Sequence, residues 1–532
     1  MTPFPHIPDG SILGLNYSGA HDSSIAVVAP NGEVVFATSL ERVSRTKQDG
    51  RVPRLLLDSL NLADFNSVAI STNRNLPDLA PSASRILDAN LPNARPTGLR
   101  HSPAFLNQLT ELVGDADVCF VDHQQAHASL AAFGSGYERG ACLVYDGGMH
   151  NCHYFGGVFS ITEAGAVSSD LFDSRLHPKI TTLYSVVTAL LGFTPNKHEG
   201  KITGLAARGT PSPAIRRKLE EWFLERYEEI EGAVEWLLPY SEDHSPQLYP
   251  RGESFPALKT EVQEFPIADV AATLQVLTEL HLTKAVEKAI SQRLINRDEP
   301  IAMAGGLFAN VSVNRAIADL GFPNVYVAPA MGDDGTALGA AYHRFAEVFE
   351  RAPQTLSSVY LGRSAKATQE FTKRRSRLNA AQTSPPAIAE LIFAGYTVAI
   401  FQGRSEFGPR ALGNRSILAR ANDSAINDRL NAMLNRTEFM PFAPVLRADH
   451  APKAFMESDR VAGCLPYMTM AVECTTEFSR LHPAAVHIDS TARPQCVTAT
   501  SNPFLYDVLL AFEELGPEYA LINTSFNVHE LS

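Results

Sequence analysis

Short apolar segments alternate with polar loops at the start of the chain. Residues 11–15, 23–28 and 34–37 are rich in Ile, Leu, Val, Ala and Phe, and an Asn-Gly pair separates the last two. This pattern predicts three β-strands, of which the second and third are joined by a tight hairpin turn. Residues 17–22, between the first two strands, are predicted to form a polar loop.

The same layout returns further along the chain. Residues 141–145 are apolar, residues 146–148 are Asp-Gly-Gly, and residues 153–161 contain a second apolar run. Two strand–loop–strand passages of this kind predict an internal duplication, in which both loops face a phosphate held between two half-domains. Two unrelated hairpins are the open alternative.

A helical pattern and a glycine pair follow the second passage. Residues 273–294 have the apolar period of a long amphipathic helix, and residues 300–304 form a short strand that ends at Gly305 and Gly306. With a helix beginning near Val311, this layout lets a nucleotide approach the backbone at a helix N-terminus. Because tight strand–helix turns also use Gly-Gly, the pattern alone is weak.

The composition of the chain changes beyond residue 350. Residues 351–385 are rich in Gln, Ser, Thr, Arg and Pro, which is typical of a linker. Residues 387–393 then predict a helix and residues 397–402 a buried strand. We therefore expect a second α/β domain that ends near residue 520.

Composition and charge exclude several classes of protein. The 532 residues are 45% hydrophobic and 19% charged, with a net charge of −13. This balance is that of a globular protein, and the negative charge disfavours nucleic acid as a partner. Six cysteines without a C-x-x-C pair argue against a disulfide scaffold or a zinc ribbon. Without a secretory signal or an apolar run of about 18 residues, a cytoplasmic location is expected.

Two histidines and two aspartates are candidate metal ligands. His123 and His127 lie four residues apart, so a helix would place both imidazoles on one face. Asp146 and Asp333 lie in two glycine-rich loops and offer a third and a fourth ligand. This set suits iron, manganese or zinc. Core or helix-capping histidines are the alternative.

His21 is a candidate general base. It stands beside Asp22 in the first polar loop, where a reacting group would be exposed. Because histidine titrates near neutral pH, it can accept a proton from a hydroxyl. A solvated loop histidine is the alternative.

The densest signal is a loop of glycines and arginines after the strand at residues 397–402. Arg404, Arg410 and Arg415 lie there among three glycines, a proline and two serines. Guanidinium groups and exposed N–H groups in a tight loop bind polyanions. Three unpaired arginines would gain little in a turn, which favours phosphate binding over a structural role. Arg436 and Arg493 are candidates for the same pocket.

At these residues the chain resembles the NodU/CmcH-type O-carbamoyltransferases, which make carbamates of sugars and antibiotics. The longest matching motif is FQGRSEFGPRALGNRSILA, around the three arginines. Further motifs follow along almost the whole chain: DHQQAHA, EGKITGLA, GGLFAN, GDDGTALGAA, PFAPVL, HIDSTARPQ and NTSFNVHE.

The resemblance implies an α/β protein of two domains. Residues 1–350 would have the duplicated actin-like ATPase fold, in the TsaD-type branch that binds a metal ion, and residues 351–385 would be a linker. Residues 386–520 would have the YrdC-like α/β fold. Family members continue beyond the last motif and return to the first domain, so residues 521–532 are expected to begin a truncated return segment.

The resemblance also implies the reaction. Carbamoyl phosphate and ATP form a carbamoyl adenylate in the YrdC-like domain, and the carbamoyl group then passes to a hydroxyl in the first domain. The acceptor would be a sugar, a glycan or an antibiotic-like secondary metabolite. Fe²⁺ is the expected metal ion, and Mg²⁺ is expected with ATP. A homodimer is one expected assembly, whereas nucleic acid and membranes are not expected partners.

The family's site residues carry over to this sequence in groups. His21 matches the base on the acceptor hydroxyl. The matching metal ligands are His123, His127, Asp146 and Asp333, and Asp334 stands where a small residue is usual. The residues that match the nucleotide site are Lys201, Gly305, Gly306 and Asn310. Those that match the site for the phosphates of carbamoyl phosphate and ATP are Arg404, Arg410, Arg415 and Ser416, with Arg410 and Arg415 also catalytic.

Three other functions stay open at this point. The acceptor could be RNA, which the acidic composition and the fusion of both domains disfavour. The chain could be a sugar kinase on the actin-like fold, although a kinase has no use for the histidine pair or the arginine loop. It could also be a degenerate family member that only binds nucleotide.

Overall fold

The protein forms two compact units, one of Ile7–Leu356 and one made up mainly of Ser357–Leu531. Among the described residues, no helix is both long and apolar enough to cross a bilayer. The computed structural model describes residues 5–17, 21–51, 53–58, 60–72, 116–147, 154–173, 180–195, 197–222, 256–364, 383–434 and 442–526.

The first unit contains two five-stranded sheets. The strands of the first sheet are β1 (Ser11–Asn16), β2 (Ser24–Val28), β3 (Val34–Ser39), β4 (Phe65–Thr72) and β5 (Val118–Asp122). Those of the second are β6 (Gly140–Tyr145), β7 (Tyr154–Thr162), β8 (Gly165–Asp173), β9 (Ile301–Ala304) and β10 (Val325–Val327). The central strands β1 and β6 are almost fully buried, as their unbroken apolar runs predict.

Both sheets have the same topology. The first has the order β3-β2-β1-β4-β5, and the second has the order β10-β9-β6-β7-β8, which is the same sequence of strands in reverse. In each sheet the first three strands are antiparallel neighbours, and the last two run parallel to the first. This repeated order confirms the predicted duplication and the actin-like class of the first unit.

Helices connect and cover the two sheets. They are α1 (Glu41–Ser44), α2 (Arg54–Leu57), α3 (His123–Ser135), α4 (Ile180–Leu190), α5 (Glu199–Ala206), α6 (Pro213–Glu220), α7 (Pro256–Gln263), α8 (Ile267–Ser291), α9 (Val311–Ala318) and α10 (Thr336–Phe349). The long helix predicted over 273–294 is α8, which begins six residues earlier because its first turns are also apolar and buried. Short 3₁₀ turns lie at Leu62–Asp64, Gly306–Ala309 and Asp333–Gly335.

The helices α3 and α10 pack in close contact. A Cβ atom added to Gly339 of α10 would lie 1.8 Å from the backbone oxygen of Ala126 in α3. Only glycine permits this approach, because any side chain would collide with backbone that cannot move alone. The contact matters for the site, since α3 carries His123 and α10 follows the 3₁₀ turn that begins at Asp333.

The second unit is built on one mixed sheet. Its strands are β11 (Val398–Phe401), β12 (Arg415–Arg420), β13 (Ala443–Arg447), β14 (Val472–Glu473), β15 (Thr491–Ala492), β16 (Gln495–Val497) and β17 (Ala520–Ser525). The main sheet has the order β11-β12-β17-β13-β16, and β14 pairs with β15. Its helices are α11 (Pro385–Phe393), α12 (Ala425–Met433), α13 (Ala451–Ala454), α14 (Thr476–Leu481) and α15 (Pro503–Glu513), with 3₁₀ turns at Ala448–His450, Leu465–Tyr467 and Pro483–Ala485.

Apolar clusters cover both faces of this sheet. Helices α11 and α15 pack on one face against Ile400, Leu418 and Leu521. On the other face, Ile417 and Ile522 pack with residues of α12. The arrangement is α/β as predicted, and the YrdC-like identity of this unit stays a prediction.

The ends of the second unit differ from the predicted boundaries. Strand β17 lies between β12 and β13, so the residues up to Ser525 belong to this sheet and not to a return segment. At the other end, much of the predicted linker lies outside the described residues, at 365–382. Before that gap, the backbone N–H of Gly362 already donates to Ser405 at 2.9 Å, within the second unit. Composition alone does not show that β17 is a strand of this sheet. Nor does it show that the segment around Gly362 is joined to the second unit by hydrogen bonds.

The close helix contact gives a stability prediction. Gly339→Ala should lower the free energy of unfolding of the first unit by about 1–3 kcal/mol, because the new methyl group collides with Ala126 backbone. Urea unfolding of the full chain measures this loss. Gly200→Ala is the matched control, because a Cβ at this helical glycine would meet no atom within 4 Å. Equal stability of the two variants would contradict the packing described.

Candidate functional site

The histidine pair lies in the first turns of α3, directly after β5. Asp122 caps this helix, because its carboxylate accepts hydrogen bonds from the N–H groups of Gln124 and Gln125, both at 3.1 Å. His123 and His127 are one turn apart, and their ring centroids are separated by 4.8 Å. The cap therefore fixes the start of the helix so that both imidazoles project from one face, as predicted.

Two aspartates meet these imidazoles in the interior of the first unit. Oδ2 of Asp146, just after β6, lies 3.0 Å from His123 Nε2 and 3.6 Å from His127 Nε2. Oδ1 of Asp333 lies 3.3 Å and 3.5 Å from the same two nitrogens. One ligand atom from each residue falls within 4.8 Å of all the others, and all four residues are buried.

Charge compensation dominates the electrostatics of this cluster. Burial alone would lower the pKa of His123, but the charge of Asp333 and the hydrogen bond with Asp146 raise it to about 10. Burial and the charge of Asp333 favour protonation of Asp146, yet the hydrogen bond with His123 and the nearby imidazole of His127 keep the pKa of that carboxyl low. The two carboxylates thus require nearby positive charge in the interior.

The donor set fits a divalent metal ion. Metal–ligand bonds of about 2.1 Å separate neighbouring ligand atoms by about 3.0–3.4 Å, close to the spacing found here. His127 supports the fit, because neither of its buried ring nitrogens has a hydrogen-bond partner among the described residues. Nδ1 of His123 lies 3.4 Å from Ser71 Oγ, a contact that can orient the ring and direct Nε2 at the cluster.

His21 lies beside this cluster. Its Nδ1 is 3.0 Å from Asp22 Oδ2 and 3.7 Å from Asp333 Oδ2, the oxygen of Asp333 that does not face the histidine pair. The His21 side chain is 30% exposed, so it remains accessible from solvent. The structure therefore brings the predicted base and the predicted ligands together.

Asn16 joins the two loops and was not predicted from the sequence. At the buried end of β1, its Nδ2 donates to the backbone oxygens of Asp22 at 2.7 Å and Asp333 at 2.9 Å. Asp22 adopts a left-handed φ of 57°, a conformation that such hydrogen bonds help to hold. A buried polar residue at the end of an apolar strand was the only sequence signal.

The choice between the two consecutive aspartates is resolved by their positions. Asp333 joins the cluster, whereas the Asp334 carboxylate accepts a hydrogen bond from Ser39 Oγ at 3.2 Å. Burial, with the charges of Asp22 and Glu41, raises the pKa of Asp334 to about 7. Asp334 therefore lies against β3, outside the set of four.

The residues predicted for the nucleotide have structural partners of their own. Gly305 has a φ of 112°, and a Cβ there would lie 2.3 Å from the Tyr145 oxygen. The N–H of Gly306 donates to Asp146 Oδ1 at 2.9 Å, which links the glycine pair to the cluster. Asn310 caps α9 and donates to Gln275 Oε1 at 2.8 Å, while the half-buried Lys201 lies in α5.

Arg404 of the second unit holds backbone carbonyls. Its guanidinium group donates to the oxygen of Leu361 and, through Nε, to the oxygen of Gly362 at 3.0 Å. Burial lowers the pKa of this group. Arg404 thereby fixes the segment that precedes the undescribed residues 365–382.

Arg415 is held in a similar way. Its guanidinium group stacks 3.9 Å from the ring centroid of Phe401. It donates to the backbone oxygens of Arg363, Gln402, Gly403 and Asn414. The expectation that all three arginines are unpaired is therefore wrong for Arg404 and Arg415, because backbone carbonyls of residues 361–363 and of the loop itself supply acceptors that no sequence pattern displays.

The backbone N–H groups of residues 412–415 in the loop also have acceptors. Oε1 of the buried Glu406 accepts from the N–H groups of Leu412, Asn414 and Arg415 at 2.9, 2.8 and 3.1 Å. Ser416 is fully buried, and its Oγ accepts from the N–H of Gly413 at 2.8 Å. The sequence predicted exposed N–H groups here and did not predict Glu406 as their acceptor.

The remaining candidates have different positions. Arg410 is half-buried in the middle of the loop, and Arg493 is half-buried just before β16. Arg436 lies outside the described residues. Roles of these side chains in binding phosphate stay predictions.

Two family models match the chain. Carbamoyltransferase N-terminus matches residues 99–342, which include all four residues of the cluster, and Carbamoyltransferase C-terminus matches residues 389–532, which include the arginine loop. Together the two matches cover most of both units.

Several relatives align over long stretches. An uncharacterized protein of Methanocaldococcus jannaschii is 31% identical over 436 residues, or 78% of this chain and 69% of that protein. Nodulation protein NolNO of Sinorhizobium fredii is 29% identical over 97% of this chain and 75% of its own length. The 3'-hydroxymethylcephem-O-carbamoyltransferase of Streptomyces clavuligerus is 35% identical over 45% of this chain and 44% of that enzyme.

The comparison with solved structures finds the activator of the 2-hydroxyisocaproyl-CoA dehydratase from Clostridium difficile, with a TM-score of 0.36 and 15% sequence identity. The similarity covers 64% of this chain and 96% of that chain. Since this TM-score is low, the fold assignment depends on the strand order.

The family models and the long alignments have a direct consequence: this chain belongs to the carbamoyltransferase family and is a carbamoyltransferase.

Proposed function

We propose that this carbamoyltransferase transfers the carbamoyl group of carbamoyl phosphate to a hydroxyl of a small acceptor, with ATP as the activating co-substrate. The acceptor class is a sugar, a glycan or a secondary metabolite. The observation that carries the proposal is the four-residue cluster with His21 beside it, because hydroxyl activation needs a base next to an electrophile.

The activation step requires two bond exchanges. Carbamate is a poor electrophile, and adenylation gives it a good leaving group. Water breaks the bond between carbamoyl and phosphate, and the freed carbamate oxygen then attacks the α-phosphorus of ATP and displaces pyrophosphate. The products are carbamoyl adenylate, phosphate and pyrophosphate, so that atoms balance.

The arginine loop of the second unit is the proposed place of this step. Arg404, Arg410 and Arg415, with Ser416, would stabilise the charge that develops on the phosphates. An arginine has five N–H donors, and the four backbone hydrogen bonds of Arg415 all involve its two terminal nitrogens, so its Nε–H is the donor left for a phosphate. Anchoring also keeps the group from having to reorganise during the reaction.

The first unit is the proposed place of transfer. His21, oriented by Asp22, would take the proton of the acceptor hydroxyl as its oxygen attacks the carbamoyl carbon, and AMP would leave. A divalent ion held by the four ligands, Fe²⁺ in this proposal, would supply Lewis acidity for the carbonyl or the phosphate. The glycine pair at 305–306, Asn310 and Lys201 would hold the nucleotide in this unit, and Mg²⁺ would accompany the ATP of the activation step.

The first prediction from this function concerns the activation step. The full chain with Fe²⁺, Mg²⁺, ATP and carbamoyl phosphate should release pyrophosphate without any acceptor, and an enzyme-coupled pyrophosphate assay measures it. Omitting carbamoyl phosphate should abolish the signal. Release of ADP that depends on a sugar, with no pyrophosphate, would instead identify a kinase.

The second prediction separates the two steps. His21→Ala should leave pyrophosphate release within about twofold of wild type and lower formation of the O-carbamate by roughly 100-fold or more, because only transfer needs the base. Chromatography with mass detection measures the product. His343→Ala, at a histidine of similar exposure in α10, should change neither step. Equal loss of both activities in His21→Ala would remove His21 from this role.

The third prediction concerns the metal ion. The isolated wild-type chain, reconstituted with Fe²⁺ without oxygen, should bind about one ion, and His127→Ala should lower the affinity by more than about 100-fold because a ligand is lost. Elemental analysis after gel filtration measures the ion directly, and His343→Ala again serves as control. A full complement of iron in His127→Ala would refute the ligand assignment.

A further inference from the structure

Glu406 occupies an unusual position in the arginine loop. Its side chain is 5% exposed, and one carboxylate oxygen accepts three backbone hydrogen bonds, from Leu412, Asn414 and Arg415. The remaining N–H group of this stretch, that of Gly413, donates to Ser416 Oγ. All four consecutive N–H groups from 412 to 415 thus have acceptors within the protein.

Such a group of convergent N–H donors normally binds an external anion. Successive N–H groups in a turn form a concave nest that attracts phosphate or carboxylate. Here a carboxylate of the same chain fills the nest. Two explanations are available: either Glu406 is a permanent part of the loop, or it is a plug that phosphate displaces.

The surroundings of Glu406 favour the permanent arrangement. Both of its neighbours are tied to the preceding segment, because Ser405 N donates to Arg363 O at 3.0 Å and Phe407 N donates to Val359 O at 2.7 Å. The side chain of Asn414 also donates to the backbone oxygen of Arg404 at 2.7 Å. Release of the carboxylate would therefore leave three buried donors without an acceptor on a backbone that is held from both sides.

The charge of Glu406 has a second effect within the loop. Burial lowers the pKa of the Arg415 guanidinium, and the nearby Glu406 carboxylate opposes that change. The carboxylate thus supports a charged arginine in a half-buried position. Glu406 thus holds the backbone N–H of Arg415 and also stabilises the charge of its side chain.

We propose that Glu406 is a positioning residue of the carbamoyl-phosphate site: it acts as the loop's built-in anion, fixes the backbone from 412 to 415, and leaves recognition of the phosphate to side chains. This inference rests on the proposed function, in which the loop binds carbamoyl phosphate. It differs from the simpler view in which the backbone N–H groups themselves bind the phosphate.

The test compares three variants of the full chain. Glu406→Ala removes the acceptor, and Glu406→Gln keeps a carbonyl oxygen in the same place without the charge. Glu518→Ala is the matched control, because Glu518 is 7% exposed in the same unit and pairs with Arg420. Calorimetric titration with carbamoyl phosphate and with inorganic phosphate gives the affinities, and hydrogen exchange with mass detection gives the protection of residues 408–418.

The expected results form a distinctive pattern. Glu406→Ala should lose amide protection in this peptide and bind both anions about 10- to 100-fold more weakly, because the backbone that positions Arg415 is no longer held in place. Glu406→Gln should restore protection and bring affinity to within about threefold of wild type. Glu518→Ala should keep wild-type affinity. Rescue by the glutamine variant is the feature that a merely destabilised fold would not produce.

Other results would overturn the inference. Tighter phosphate binding in Glu406→Ala would identify Glu406 as a plug over a backbone phosphate site. Unchanged affinity despite lost protection would show that the fixed backbone has no role in binding. If Glu406→Ala does not fold, Glu406→Gln alone distinguishes the two explanations. If Glu406 were a plug, its uncharged replacement would be displaced more easily, and Glu406→Gln should then bind phosphate much more tightly than wild type. Failure of the wild-type chain to bind carbamoyl phosphate would instead reject the proposed function, whereas the exchange data would still test the hold of Glu406 on the loop.

Discussion

Two carboxylates buried against two imidazoles are the constraint on which the rest of the first unit depends. Asp146 and Asp333 come from the ends of β6 and of the segment after β10, and His123 begins the helix after β5, so three strand ends must meet. Removing one partner of such a buried cluster would leave an uncompensated charge, at a cost of about 3–5 kcal/mol. The close packing of Gly339 on α3 and the link from Gly306 to Asp146 are ways in which the fold meets this requirement.

The second unit applies the same electrostatic logic to backbone. In the arginine loop, N–H groups converge on the carboxylate of Glu406, while the guanidinium groups of Arg404 and Arg415 donate to backbone carbonyls of the preceding segment and of the loop. A loop rich in glycine has little intrinsic preference for one shape. The negative charge of Glu406 and the positive charges of Arg404 and Arg415 hold the loop in one shape. These contacts within the protein define the shape of the loop.

The sequence predicted residue types at the right places more reliably than it predicted which atoms meet. Short apolar runs and polar loops were enough to predict the duplicated strand–loop–strand passages, and the four-residue spacing of His123 and His127 was enough to place both on one face of a helix. Asn16 and Glu406 escaped prediction because their role depends on backbone groups that are distant in the chain or folded into a turn. The same limit applies to the predicted end of the second domain. The place of β17 between β12 and β13 depends on pairing with strands that are distant in the chain.

The central claim, that a hydroxyl receives a carbamoyl group activated by ATP, is tested most directly by identifying the intermediate. The full chain with Fe²⁺, Mg²⁺, ATP and carbon-13-labelled carbamoyl phosphate, quenched before any acceptor is added, should contain carbamoyl adenylate with the label in its carbamoyl carbon. Mass spectrometry resolves this species from AMP and ATP. Its absence, with the label recovered only as carbamate or carbonate while ATP remains intact, would contradict the account.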